Sequence, residues 1–494
     1  MAPASPTRPN VLFVLTDEQK ASTLGLYGDP VLRTPALARL AAEGTLVESA
    51  FTPCPLCVPS RGTLLSGRYP RHHGLWFNDQ RLAGEVETWF DVLSGDGYRL
   101  GLFGKNHCLA EPALERLFDA RFEAGHEGFR PEPEDGERAA VNAWLRRPEL
   151  LRAPWAAEAA PFPAARMPTH VITDRALAFM QATEGPFCVW LSYPDPHTPL
   201  QCPEPYAGLV PPAEIAVPPF DEALAASKPE RQRVARRMFG SDGVTPEQIR
   251  RCLASYYGMQ RFIDDELGRV LAYLDRSGRA ADTLVVFTSD HGDYMGEHRL
   301  VRKSLAFYDA LVRVPLVLRL PGRLPAGKRH TEPFSLVDLA PTLLELLGRR
   351  PLTGADGRER TAELRGGAGG VGDAGAAPAG GAATAGAAAP ACVFGEAGLP
   401  GAPPSLEALR DVPSGPLDGR FAPWGSRREA WTGRGWMVRT KDHKLVLYDT
   451  GEGELYDLVD DPGELHNRYG DPGLADTQAA LASRLHAWRD GQPA

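Results

Sequence analysis

The sequence predicts an α/β protein, with a large, mostly parallel sheet flanked by helices and a smaller C-terminal α+β unit carrying an antiparallel sheet. Three observations lead there. Short runs that are apolar on both faces recur through the first 350 residues, as strands covered by helices on both sides require. Helical patterns with start and stop signals alternate with them. After residue 435 the pattern changes to short β-rich runs separated by turn residues.

In chain order, residues 10–15 form the first buried strand and run into Asp17 and Glu18. Residues 34–44 form a helix, with Thr34 as cap, Pro35 at the first position, Leu37 and Leu40 on one face, and Gly44 at the end. A second helix starts near Cys57; Pro59 suits its first turn and Gly67 the left-handed position after its last. Residues 98–103 are a strand leading to Gly104-Lys105-Asn106-His107. Residues 126–170, rich in Glu, Pro, Arg and Trp without periodicity, are expected as an irregular excursion over the rim of a site. Residues 187–193 form a strand that runs into Asp195 and His197, and residues 200–244 are expected to be irregular again. Thr245-Pro246-Glu247-Gln248 has capping-box form and opens a long amphipathic helix toward residue 276, with an interruption expected near Gly258. Residues 282–287 and 314–320 are further strands, the first ending in Asp290-His291. Residues 336–347 form a helix that Pro341 must break or restart.

Residues 366–390 are almost wholly Gly and Ala, a composition expected of a flexible linker or surface loop. Beyond it, residues 436–440, 444–448 and 454–458 read as antiparallel strands, and 474–488 as a final helix. The expected units are a catalytic domain over 1–364, a linker over 365–391 and a C-terminal subdomain over 392–494. No internal repeat is visible.

With 494 residues, 43% of them hydrophobic and 24% charged, the chain can bury a sizeable core. Its net charge of -9 argues against nucleic acid or an anionic membrane as the main partner. Seven cysteines, an odd number without a disulfide rhythm, are expected to be reduced. No run approaches the roughly 18 apolar residues of a membrane span, and residues 1–8 lack the apolar core of a targeting segment. A cytoplasmic location follows as the expectation. Abundant Ala, Gly, Arg and Pro point to a high-GC bacterial source.

Four apolar runs end in residues suited to chemistry: Asp17-Glu18, Lys105 with His107, Asp195 with His197, and Asp290-His291. Open α/β sheets place their sites at the carboxyl ends of strands, so these groups are expected to face one crevice. Cys57 at a helix start lies in an anion-favouring position, and Arg61 follows on the same face. Asp17, Glu18, Asp290 and His291 offer the oxygen-rich shell that hard divalent cations prefer; helix capping is the competing role for Asp17 and Asp290. Cys54 and Cys57 also form a C-x-x-C, but no partner pair stands at zinc spacing; a buried structural cysteine is the stronger competing reading. His107 and His197 suit acid–base roles because imidazole titrates near neutrality. His72, His73 and His298 are weaker candidates.

Cys57-Val58-Pro59-Ser60-Arg61, followed by Leu65-Ser66-Gly67-Arg68, resembles the signature of the type I sulfatases, members of the alkaline phosphatase superfamily. The resemblance extends over most of the chain, through residues 336–342 to Leu455-Tyr456-Asp457-Leu458 and Asp461-Pro462. It implies the mixed, mostly parallel alkaline-phosphatase-like sheet. It also implies oxidation of Cys57 to formylglycine by a formylglycine-generating enzyme. One divalent cation, Ca²⁺ first with Mg²⁺ or Mn²⁺ as alternatives, would be held by Asp17, Glu18, residue 57, Asp290 and His291. The hydrated aldehyde would attack the sulfur of a small sulfate ester, and its second hydroxyl would then expel sulfate. Arg61 would hold the diol and Lys105 and Lys303 the sulfate oxygens. His197 with Lys303 would assist departure of the alcohol, and His107 the release of sulfate. Glu18 departs from the aspartate common in the family, and the Gly/Ala segment departs as an insertion.

The nearest rival is a phosphonate monoester or phosphodiester hydrolase on the same scaffold; a non-catalytic binding protein ranks lower. For substrate recognition the rim offers Trp144, Trp155, Arg166 and Tyr206, with Trp76, Asn78 and Trp436 bordering the pocket. Sequence alone leaves open which ester is cleaved and the oligomeric state.

Overall fold

The computed structural model describes residues 8–132, 135–147, 155–366, 391–403, 405–407 and 432–491. The Gly/Ala segment expected as a linker falls outside the described residues, apart from Gly366 and the few residues that flank it.

Ten strands form the main sheet. Across it run Lys328–His330, Thr45–Phe51, Arg313–Arg319, Thr283–Ser289, Asn10–Thr16, Phe187–Ser192, Arg99–Gly104, Ala120–Gly125 and Gly128–Arg130, with Phe334–Ser335 also paired to Thr45–Phe51. The five strands from Thr283–Ser289 to Ala120–Gly125 are parallel to their neighbours in turn. Arg313–Arg319 runs antiparallel to both strands beside it, which makes the sheet mixed.

The Asn10–Thr16 strand is buried throughout and apolar over residues 11–15 because both of its faces are covered. Val11, Phe13 and Leu15 pack in one core with Val58, Leu64 and Leu65 of the Cys57–Ser66 helix and with the Leu339–Leu347 helix. Leu12 and Val14 point to the other core, shared with Phe262, Leu267 and Val270 of the Pro246–Arg276 helix.

Several sequence expectations change here. The Pro246–Arg276 helix is continuous through Gly258. A Cβ at Gly258 would lie 2.3 Å from the Tyr206 carbonyl oxygen, so this glycine permits a close approach and marks no break. The stretch 336–347 divides, as expected, into a 3-10 turn, Leu336–Asp338, and an α-helix, Leu339–Leu347, that restarts with Pro341 in its first turn, where it removes no needed hydrogen bond. The stretches expected to be irregular contain short elements: Gly128–Arg130, Gly136–Leu145 and Ala157–Ala160 in the first, and Leu200–Pro203, Glu222–Ala226 and Glu230–Met238 in the second. The strands Thr45–Phe51 and Ala120–Gly125, each one in from a margin of the sheet, and the edge strand Lys328–His330 were not apparent from their mixed composition.

The C-terminal part is a four-stranded antiparallel sheet in the order Cys392–Ala397, Gly435–Thr440, His443–Tyr448, Gly453–Asp457. It packs with Leu481, Leu485 and Trp488 of the Ala475–Arg489 helix around a core that also takes in Tyr69 and Val337. Among the described residues no helix is long and apolar enough to cross a membrane.

The long helix also caps another. Backbone N–H groups of Ala36 and Leu37, at the start of the Pro35–Glu43 helix, donate to the two carboxylate oxygens of buried Asp264 at 3.0 and 2.8 Å. Thr34 makes no such bond from its side chain. Burial pushes Asp264 up to about 6 from its ordinary 3.8. The uncharged carboxyl is therefore favoured in the folded chain. That contribution to stability is complete below the ordinary value and is lost as pH rises through the folded one. Asp264→Ala should cost about 1 kcal/mol, the usual worth of an N-cap, seen as a lower midpoint of thermal unfolding. Asp264→Asn should flatten the dependence of that midpoint on pH between about 4 and 6. A midpoint as pH-dependent as that of the parent chain would refute the assignment.

Candidate active site

The strand ends converge on the start of the Cys57–Ser66 helix. Cys57 is its first residue and fully buried. Leu56, in the cap position, offers no side-chain oxygen; instead Asn78 reaches over and accepts a hydrogen bond from Val58 N at 3.0 Å. Ser60 donates to the Asp290 carbonyl at 2.5 Å and accepts from Thr52 at 2.9 Å. The serine of the motif therefore ties the helix to the Thr283–Ser289 strand end.

Arg61 makes the larger connection. Its Nε donates to Asp290 Oδ2 at 2.9 Å, and Nη1 donates to the Lys105 carbonyl at 2.8 Å and to Ser192 Oγ at 3.0 Å. Nη2 lies 3.6 Å from Asp17 Oδ2 and has no hydrogen-bond partner. One buried guanidinium thus touches the ends of four parallel strands.

Asp17, Cys57, Asp290 and His291 each present one ligand atom, all within 4.8 Å of one another and all buried. Cys57 Sγ lies 3.2 Å from His291 Nε2 and 3.7 Å from Asp17 Oδ1. His291 Nδ1 faces the Gly292 carbonyl at 2.8 Å, which places its proton there and turns Nε2 toward the cluster, as a ligating imidazole requires. Burial would lower the His291 pKa, but Asp290 and Cys57 outweigh it and push the group up to about 9. Burial likewise opposes ionisation of Asp17, yet Lys105, His197, Arg61 and Lys303 hold its carboxyl well below the ordinary range. Two carboxylates and an imidazole fit a divalent cation. The thiol as translated would make the set softer, and an oxygen at residue 57 would make it harder.

Glu18 does not join these four. It sits at φ 65°, its N–H donates to Asp290 Oδ1 at 3.1 Å, and its longer side chain turns away. The carboxylate instead meets Lys303 Nζ and His197 Nε2, each at 3.1 Å. Glu18, expected among the ligands, thus stands with Lys303 and His197 in this structure.

Lys105 reaches Asp17 directly. Its backbone N–H donates to the Ser192 carbonyl at 2.9 Å, and the preceding Gly104, at φ 103°, has no room for a Cβ beside that same oxygen. Lys303 Nζ lies 3.0 Å from His197 Nε2. Burial is outweighed by Cys57, Glu18, Asp17 and Asp290, so the Lys303 pKa is raised and the ammonium is retained. His197 Nδ1 faces the Thr198 carbonyl at 2.5 Å. Burial and Lys303 push its pKa well down, and burial with Lys105 and Arg61 does the same to His107. The site thus joins fixed cations to uncharged imidazoles, a combination that can hold an anion and move protons.

Other candidates lie elsewhere. His72 pairs with Asp356 at 2.8 Å on the surface, and buried His73 meets Thr63 Oγ1 at 3.2 Å. His298 stacks on Tyr308 at 4.0 Å, facing the C-terminal sheet. The rim residues have partners of their own: Trp155 donates to the Phe239 carbonyl at 3.0 Å, Tyr206 to Asp265 at 2.9 Å, Arg166 pairs with Glu137, and Trp144 lies under Arg147. Trp76 and Trp436 pack against Arg434 and Arg489. Asp195 is a support: its carbonyl accepts from Asp17 N at 3.2 Å and its side chain from Thr169 Oγ1 at 2.5 Å. Sequence reasoning passed over Ser192 and His126. The latter follows a strand whose mixed composition hid it.

Removing the guanidinium would leave two buried carboxylates facing each other. Arg61→Met should destabilise the chain by roughly 3–5 kcal/mol, read as a fall in the thermal midpoint without added cation. A variant that melts with the parent chain would show that Arg61 does not hold the strand ends together.

The family model described as sulfatase matches residues 9–349, and the model for the C-terminal region of N-sulphoglucosamine sulphohydrolase matches residues 426–491. The uncharacterized sulfatase YidJ of Escherichia coli is 29% identical over 98% of this chain and 87% of its own length. The multifunctional alkaline phosphatase superfamily protein PehA of Trinickia caryophylli is 31% identical over 71% of this chain and 76% of its own. The crystal structure of the phosphonate monoester hydrolase of Agrobacterium radiobacter superposes with a TM-score of 0.75 at 25% identity, covering 98% of this chain and 96% of that one. On the length of the first match and the fold it shares with these relatives, the chain belongs to the sulfatase family and is a sulfuric ester hydrolase.

Proposed function

We propose that the chain hydrolyses a small sulfate monoester to an alcohol and inorganic sulfate, using formylglycine formed from Cys57 and one divalent cation, Ca²⁺ first. The observation that carries this reading is the buried convergence of Asp17, Cys57, Asp290 and His291 within 4.8 Å, with Lys105 and Lys303 close by. Asp17, Asp290 and His291 would hold the cation together with residue 57. The cation would neutralise ester oxygens and make a hydroxyl on residue 57 more acidic. Hydrated formylglycine supplies two hydroxyls on one carbon, one to attack sulfur and one whose deprotonation releases sulfate.

The chain's own side chains do the rest. Arg61, held on Asp290, keeps the residue 57 end of the helix against the strand ends. Lys105 and Lys303 bind the sulfuryl oxygens and stabilise the charge that grows on them. Lys303 with His197 delivers a proton to the departing alcohol oxygen, and neutral His107 accepts one as sulfate leaves. In a protein of net charge -9 these local cations supply the attraction for an anionic ester. Maturation would require a formylglycine-generating enzyme as partner.

The second reading is hydrolysis of a phosphonate monoester or phosphodiester, favoured by the likeness to the Agrobacterium hydrolase. Such diesters and sulfate monoesters each carry one negative charge, so the cations alone do not separate them.

Protein co-expressed with a formylglycine-generating partner should carry the aldehyde in the peptide containing Cys57, seen by mass spectrometry. It should turn over aryl or alkyl sulfates with higher kcat/KM than phenyl phosphonate monoesters or bis(4-nitrophenyl) phosphate. Higher efficiency on phosphorus would install the second reading, and an unmodified thiol with no turnover would favour a binding protein. Exhaustive chelation should abolish turnover and Ca²⁺ restore it. Activity that survives chelation would remove the cation from the mechanism.

A further inference from the structure

The turn between the Ala120–Gly125 and Gly128–Arg130 strands brings an unexpected histidine to the site. Ala120–Gly125 pairs in parallel with Arg99–Gly104, with Glu123 opposite Gly104, so His126 emerges on the same edge of the sheet as Lys105 and His107. The ring of His126 lies flat against that of His197, with centroids 4.3 Å apart and planes inclined by 20°. The edge nitrogens of His197 are already engaged, Nδ1 with the Thr198 carbonyl and Nε2 with Lys303 and Glu18. His126 covers one of the two faces.

The turn is built to hold that ring still. The Asn142 side chain accepts from Phe129 N at 2.8 Å and donates to the Phe129 carbonyl at 3.1 Å, while Arg146 donates to the Glu127 carbonyl at 2.9 Å. Gly128, at φ 99°, lies so close to Asn142 that a Cβ would approach its Oδ1 to 2.0 Å. His126 Nδ1 is buried and has no hydrogen-bond partner. Among the described residues no hydrogen bond to Nδ1 accounts for a histidine here, whereas the stacking does. Burial, with Lys105 next, pushes its pKa down to about 3. The ring is uncharged and adds no further repulsion beside two ammonium groups.

We propose that His126 is a positioning residue for departure of the alcohol: stacked on His197, it fixes the plane in which Nε2 meets Lys303 and Glu18. This rests on the reading above, in which the S–O bond to the alcohol breaks as the Lys303–His197 pair supplies a proton to that oxygen. The aromatic face matters in this role and the ring nitrogens do not. An acid held in the wrong plane hinders expulsion of a strongly basic leaving group and matters little for a weakly basic one.

The test uses the full chain, co-expressed with the formylglycine-generating partner, as wild type and as His126→Ala, His126→Asn and His126→Phe. Thermal midpoints and the aldehyde content at residue 57 are checked for each. On phenyl sulfate, kcat/KM of the Ala and Asn variants should fall roughly tenfold, and on 4-nitrophenyl sulfate less than about threefold. The Phe variant, which keeps the stack, should stay within about threefold of wild type on both. If Ala fails to fold, Asn alone decides the point. Equal losses on the two esters, no loss, or rescue by Asn but not by Phe would each overturn the role. Wild type that carries the aldehyde but cleaves only phenyl and 4-nitrophenyl phosphonates would overturn the sulfate reading instead, and the same leaving-group comparison would then be made on those esters.

Discussion

Everything at the centre depends on one buried guanidinium. Arg61 is fully enclosed and meets Asp290, the Lys105 carbonyl, Ser192 and, at longer range, Asp17. Removing such a cation from water costs several kcal/mol, so the arrangement survives only because Nε and Nη1 are hydrogen-bonded and two carboxylates face the charge. What results is a registration device. The helix beginning at Cys57 is held at one depth against four strand ends that lie up to 229 residues from Arg61 in sequence. Ser60 and Thr52 repeat the tie on a smaller scale. The signature motif is thus structural at its serine and arginine, apart from the chemistry proposed for its cysteine.

From that registration comes a division of charge. Anionic side chains gather where a cation would sit, at Asp17 and Asp290. The ammonium groups of Lys105 and Lys303 stand around them, and the imidazoles of His107, His126 and His197 are kept uncharged by burial and by those lysines. An anionic ester therefore meets fixed cations that need no reorganisation, next to imidazoles kept in the neutral form.

The central parallel strands were legible in the sequence because they are buried on both faces, and their polar ends marked the crevice. The Cys57 helix was legible from Pro59 and Gly67, and the long helix from Thr245 and Gln248. Strands one in from the margins of the sheet, Thr45–Phe51 and Ala120–Gly125, were not, since they carry mixed residues that periodicity does not separate from a loop. Gly258 misled for a related reason: its use is contact with Tyr206, a partner 52 residues away that no local pattern reveals. His126 was hidden by the same unseen strand. The rim aromatics were misjudged because exposure cannot be read from residue type, and Trp155 and Tyr206 turn out to be bonded into the fold.

Glu18 shows how a single extra methylene redistributes this charge. Its backbone is fixed on both sides, the N–H on Asp290 Oδ1 and the carbonyl accepting from Tyr256 Oη at 2.6 Å, while Lys20 N donates to the same phenol at 2.9 Å. With the turn pinned by the long helix, the side chain has only its own length with which to choose a partner. An aspartate there would stop short; glutamate reaches Lys303 and His197, both at 3.1 Å. A carboxylate beside His197 Nε2 favours a proton on that nitrogen, and the ammonium at 3.0 Å opposes it. In the proposed mechanism the proton for the leaving oxygen would therefore be balanced among three groups in mutual contact, and a bound cation would meet the two carboxylates of Asp17 and Asp290.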